Sequence, residues 1–153
     1  MNKKIKVLWF ETTMPSRYKN SGFVGGGWQD SLENIVRSCA EIELSIAFES
    51  HTCSVPKCID GIWYYPMNFS FSLKEKLIDQ FSWTANVKHI VEEELKVINT
   101  VRPDLIHIFG NEWAFGMIQK YTSIPCVIHI QGCWISYFNS LYPPKYNGFT
   151  VSK

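Results

Sequence analysis

The first apolar run, Ile5 to Phe10, is broken only by Lys6. That pattern predicts a short strand buried on both faces. Glu11 ends it, and Glu11 to Gly27 reads as a connecting loop rich in Gly, Pro and Ser. Few apolar residues anchor this loop, so it is expected to be mobile. From Trp28 to Ala40 the period changes. Trp28, Leu32, Ile35, Val36 and Cys39 fall on one stripe of a helix. Asp30 and Glu33 in its opening turns and Arg37 near its end suit the helix dipole. Leu44 to Phe48 is a second strand, and His51 to Lys57 a turn. Ile59 to Tyr65 is a third strand, interrupted by Asp60-Gly61; the second and third are expected to form a hairpin or to lie close together. A short helix is expected over Leu73 to Phe81. Thr84 is placed to cap the next helix, which runs to Val101. There Val87, Ile90, Val91, Leu95 and Ile98 make the buried stripe, while Glu92, Glu93, Glu94 and Lys96 face away. Pro103-Asp104 launches a fourth strand, Leu105 to Phe109. A short helix over Glu112 to Lys120 follows, then a fifth strand, Cys126 to Ile130.

Strands alternating with helices at these spacings imply right-handed crossovers and a mostly parallel sheet. The expected fold class is α/β, a Rossmann-like three-layer α/β/α domain occupying residues 1–153. Residues 133–153 form an aromatic, loop-like tail. A doubly wound sheet ordinarily continues beyond this point, so the chain is expected to be an excised domain or a truncated product.

Composition narrows the function. At 153 residues and 46% hydrophobic, the chain can bury one sizeable core. Its 15 basic and 14 acidic residues leave a net charge of +1, so no single-sign field draws it to nucleic acid. Five cysteines, an odd number, and an opening run too short for a signal core point to reduced thiols in the cytoplasm. No apolar run reaches transmembrane length. Peripheral contact with the inner face of a membrane stays open. Six tryptophans are more than one core of this size needs, and the surplus suggests binding sites or covered surfaces.

The candidate chemistry gathers where strands end. Gly25, Gly26 and Gly27 precede the first long helix. Side-chain-free backbone there lets N–H groups approach an anion at the helix N-terminus. The spacing is neither G-x-G-x-x-G nor a P-loop. The same glycines also suit a plain turn that starts the helix. Asn111 and Glu112 follow the fourth strand and Gln131 follows the fifth, where ligands of parallel sheets bind. Alternation groups His107 with Leu105 and Phe109, and His129 with Val127 and Gln131. Both histidines suit satisfied core positions. His51, Cys53 and Cys58 offer three metal ligands with no fourth, a weak zinc signal, and no metal or cofactor is expected. Trp134, Tyr137, Phe138, Tyr142 and Tyr146 crowd the tail, suited to stacking on sugars or to meeting a partner surface.

At these residues the chain resembles the family 4 glycosyltransferases of the GT-B fold. Three pieces carry the resemblance, in order. They are Lys6 to Phe10 with the Gly25-Gly26-Gly27-Trp28 loop, Arg102 to Gly110, and Ile124 to Gly132. Together they cover the amino-terminal, acceptor-side domain of that family. The resemblance implies a nucleotide-sugar donor, a glycan or lipid-linked acceptor, and a missing carboxyl-terminal domain that holds most of the donor. It implies that Gly25, Gly26 and Gly27 approach the donor diphosphate, and that transfer proceeds with retention in the making of surface polysaccharide. The family often carries a histidine where this chain has Gln131, a departure that weakens that role. Gln131, with Asn111, Glu112 and Trp134, is then a candidate for contacting sugar. Two other readings stand beside this one: a stand-alone module binding carbohydrate or nucleotide, and an interaction domain without catalysis.

Overall fold

A computed structural model describes residues 3–19, 27–51, 55–69, 71–82, 84–110 and 114–130. Strand β1 (Ile5–Glu11) leads through a single helical turn, α1 (Ser16–Lys19), to helix α2 (Gly27–Arg37). Strand β2 (Ile42–Glu49) follows, then β3 (Lys57–Ile59) and β4 (Ile62–Met67). Helices α3 (Leu73–Ser82) and α4 (Thr84–Val101) precede β5 (Leu105–Phe109), and a short 3-10 helix (Ala114–Lys120) precedes β6 (Cys126–His129).

The six strands form one sheet in the order β3-β4-β2-β1-β5-β6, parallel except for β3. From β1 the sheet grows one way to β2 and β4, then the other way to β5 and β6. The β1/β5 boundary is therefore the topological switch point, the place at which open α/β sheets ordinarily bind ligands beyond the carboxyl ends of the strands. Lys6 and Asp104 pin this boundary. The Asp104 carboxylate accepts the Lys6 N–H at 2.9 Å, and the Asp104 N–H donates to the Lys6 carbonyl at 2.8 Å.

Strand alternation divides the core in two. Leu8, Phe10, Ile106 and Ile108 face α4 and the 3-10 helix, packing with Ile90, Val91, Ile98, Phe115 and Ile118. Val7, Trp9, Leu44, Ile46, Phe48 and Tyr64 face the α2 side. This is the expected three-layer, Rossmann-like α/β arrangement.

Several local expectations are corrected. The second and third predicted strands, β2 and β4, do lie side by side, but as parallel neighbours and not as a hairpin. The hairpin lies instead within the predicted third strand. Asp60 and Gly61 both have positive φ, 50° and 87°, and fold β3 back antiparallel on β4. Glu11 belongs to β1 instead of ending it, and the following loop contains α1, whose Tyr18 is buried as an anchor. Helix α2 stops at Arg37, short of Ala40. Its sheet-facing side is also rotated from the predicted stripe: Trp28 and Ile35 are 39% and 62% exposed, whereas Gln29 and Glu33 are buried. On α4, Glu94 does not face away with its neighbours. It is 0% exposed, because it falls one turn beyond Ile90 and one before Ile98, within the inward face. The helix predicted over Glu112 to Lys120 is the 3-10 helix from Ala114, and the fifth predicted strand ends at His129. Among the described residues, no helix is long and apolar enough to cross a membrane.

Candidate functional site

The rim at the switch point is built by register. Glu11, Phe109 and His129 end β1, β5 and β6, and Phe109 pairs with His129 across the ladder. Trp9 and His107 pair one step below. All five side chains belong to the α2 side by alternation. Helix α2 begins at Gly27, so its first turns lie over this row. Gly110, which leaves β5 with φ of 83°, donates its N–H to the His129 carbonyl at 2.9 Å and holds the two strand ends together.

One half of the rim is acidic and enclosed. Glu11 is 3% exposed. Burial, with the nearby carboxylates of Glu33 and Asp30 adding to it, raises its pKa to about 8. The Glu11 carboxyl is therefore protonated at neutral pH. Glu33 accepts the Tyr64 hydroxyl at 2.7 Å and the Arg17 guanidinium at 2.9 Å. Burial still lifts its carboxyl above the usual range, against the pull of those two partners. The same burial and the bond to Glu33 push the Tyr64 phenol upward. Arg17 also reaches Asp60 at 3.1 Å and Asn34 at 2.6 Å, and Arg37 meets Asp60 at 3.1 Å. Thr13 donates to Gln29 at 2.8 Å and Ser16 to Asp30 at 2.5 Å. The loop after β1 is thus tied to α2 by polar groups, which explains why Gln29 and Glu33 turn inward. These residues hold one another.

The other half is aromatic and open. The Trp28 indole lies 5.2 Å from the Phe109 ring and 5.4 Å from the His129 imidazole. His107 and His129 stack with centroids 6.0 Å apart and planes 11° apart. Trp9 and Phe109 close the cluster from below, at 5.9 and 4.2 Å from His107. Desolvation, then the neighbouring His129, lowers the His107 pKa, so its imidazole is neutral near pH 7. Neither histidine is the satisfied core residue that the strand pattern suggested. His129 is exposed, and among the described residues neither ring nitrogen pair has a hydrogen-bond partner.

Of the residues expected to form the site, Gly27 is placed at the first position of α2, at this rim. Gly25, Gly26, Asn111, Glu112, Gln131 and Trp134 lie outside the described residues. Asn111, Glu112 and Gln131 come directly after the segments that end at the rim. Glu11, Trp28 and the stacked histidines were not expected as site residues. Alternation from the buried Trp9 was the available signal for Glu11. The helical period of α2 puts Trp28 on the buried stripe, which hides it as a site residue. Among the described residues no group of His, Cys, Asp and Glu is arranged to hold a metal ion.

No protein-family model and no curated protein matches the chain in sequence. In three dimensions it is similar to sucrose-phosphate synthase from Thermosynechococcus elongatus, with a TM-score of 0.62 at 9% identity, covering 96% of this chain and 38% of that one. It is also similar to UDP-GlcNAc 2-epimerase from Neisseria meningitidis bound to UDP-GlcNAc, with a TM-score of 0.55 at 15% identity, covering 97% of this chain and 38% of that one. The chain thus spans well under half the length of either enzyme. At such identities the likeness is one of fold alone, a Rossmann-like α/β domain with a mostly parallel sheet.

Proposed function

We propose that this chain is the acceptor-side half of a glycosyltransferase that moves a sugar from a nucleotide-sugar donor to a glycan or lipid-linked acceptor, with retention. The observation that carries the reading is the switch point itself. The strand order reverses between β1 and β5 beneath the start of α2, with the exposed Trp28 and His129 beside it, in a fold that matches two sugar-processing enzymes over nearly the whole chain. In this reading Gly25, Gly26 and Gly27 let backbone N–H groups at the start of α2 approach the donor diphosphate as negative charge develops on it. The bond from the anomeric carbon to the diphosphate oxygen breaks, with its electron pair passing to the diphosphate. The acceptor oxygen bonds to that carbon, and the hydroxyl proton passes to the departing diphosphate. No protein nucleophile is required. Asn111, Glu112, Gln131 and Trp134 are the acceptor-side contacts, and the donor is held mainly by a second domain. The enzyme would work in the cytoplasm, at the inner face of the membrane where the acceptor is lipid-linked.

The test is expression of this chain with any second α/β domain encoded after it, assayed for release of nucleoside diphosphate from UDP-, GDP- and ADP-sugars. Turnover is expected with at least one donor. The Gly26→Asp variant should lose most of it, because a carboxylate then opposes the diphosphate. Equal turnover in that variant would remove the glycine loop from the mechanism. A frame that ends without a second α/β domain would favour a stand-alone binding module.

A further inference from the structure

We propose that Trp28, His107 and His129 form a sugar-stacking site, in which a pyranose ring of the acceptor lies against the Trp28 indole while its hydroxyls bond to the imidazoles. This deepens the glycosyltransferase reading and rests on it for the identity of the ligand as acceptor. Three elements contribute: the first turn of α2, the body of β5 and the last residue of β6. They converge beside the switch point, where the fold places ligands.

The chemistry of the cluster is two-sided. An indole 39% exposed in a folded domain leaves a broad apolar face in water. Beneath it, Phe109 and Trp9 are buried and hold the cluster in place. Phe109 packs edge-on to both indoles, at 4.9 Å from Trp9 and 5.2 Å from Trp28. Next to the open indole are imidazole nitrogens that no group among the described residues engages. A neutral imidazole both donates and accepts a hydrogen bond, which is also what a hydroxyl does. A pyranose has the complementary form: one face of C–H groups for the indole and a periphery of hydroxyls for the imidazoles. A phosphate finds less here. The nearby guanidinium groups of Arg17 and Arg37 are already committed to Glu33 and Asp60.

The 153-residue chain, labelled with 15N, is titrated with the methyl α-glycosides of glucose, galactose, mannose and N-acetylglucosamine, and separately with UMP. The Trp28 indole N–H and the His129 imidazole are followed by NMR. At least one glycoside should shift both signals saturably. Trp28→Leu should weaken that binding about tenfold, equivalent to about 1.4 kcal/mol. Trp28→Phe should keep part of it, and His129→Ala should weaken it while leaving the indole response measurable. Far-ultraviolet circular dichroism confirms that each variant is folded. If Trp28→Leu does not fold, Trp28→Phe and His129→Ala carry the comparison. Absence of a saturable shift with every glycoside would overturn the site. So would binding unchanged in folded variants, or a response to UMP alone. Nucleotide-sugar turnover by the protein with any second domain in place separates this from the wider proposal. Turnover unaffected by Trp28→Leu would sink the stacking site alone. Glycoside binding without turnover on any donor would sink the transferase reading and leave a sugar-binding module.

Discussion

Burial holds protons on two carboxyls, one on each side of the sheet. Glu11 rises from the ordinary 4.5 to about 8, and Glu94, with neither oxygen hydrogen-bonded, rises to about 9. Each binds its proton more tightly folded than unfolded. The folded chain therefore carries extra protons from about pH 4.5 up to those values, and stability must fall as pH rises across the interval. Their contribution is most favourable below pH 4.5 and fully lost above about 9. Where the proton difference is complete, the slope is about 1.4 kcal/mol per pH unit for each group. Urea unfolding from pH 5 to 9 should show this decline, and Glu94→Gln should flatten it by one group's share; parallel curves for the two proteins would refute the assignment. Glu94→Met should stabilise the chain at pH 8 by about 1–3 kcal/mol, since it removes an unpaired polar group from an apolar site. The sequence made Glu94 look solvent-facing because it stands in a run of three glutamates. Only its spacing from Ile90 and Ile98 gives its true side, and the charge of its neighbours obscured that spacing.

At the scale of elements, polar contacts decide what hydrophobic periodicity left ambiguous. The position and type of β1, α4 and β5 were legible, because their apolar positions repeat cleanly and nothing competes. Helix α2 was legible as a helix but not in its rotation. Its inward side carries Gln29 and Glu33, which pair with Thr13, Tyr64 and Arg17, partners far away in sequence that no periodicity encodes. Tyr64→Phe should cost about 1.5–3 kcal/mol, the usual worth of a hydrogen bond to a charged group, read as a lower urea midpoint at pH 7. A much smaller loss would mean that Arg17 alone satisfies Glu33. The β3/β4 hairpin was hidden in what looked like one strand. Gly61 is the turn's requirement. A Cβ there meets nothing within 4 Å, but the positive φ strains any L side chain. Gly61→Ala should therefore lower stability by roughly 1–2 kcal/mol, seen in the thermal midpoint, while leaving the parallel β2–β4 pairing intact.

Over the whole molecule, the layers and the parallel sheet followed from alternating strands and helices, whereas the strand order did not. Which strand lies beside β1 depends on crossover direction, and that became visible only in the pairing registers. The candidate site was half legible for the same reason. Strand ends marked the rim, yet the aromatic cluster exists only because β5 lies beside β1 and β6 beside β5, so that their side chains on one face meet the start of α2. Asp104 couples these parts. The Lys6 N–H, then the Lys3 ammonium, holds its carboxyl below the usual range, so its help is present above the ordinary 3.8 and fades as pH falls through the lowered value. Asp104→Ala should speed amide hydrogen exchange at Val7 and Ile106 more than in β4. Uniform acceleration throughout the sheet would mean that Asp104 supports the fold generally and not this seam.

The Lys6–Asp104 clasp joins positions 98 residues apart, and that separation governs when the molecule can become itself. During synthesis β1 emerges first and can find β2 early, but its other edge has no native neighbour until β5 is made. The central strand must therefore wait, half-paired, through production of the hairpin and two helices. Closing so long a loop makes the seam a slow step in folding. The rim that would hold a ligand is then among the last features of the chain to exist.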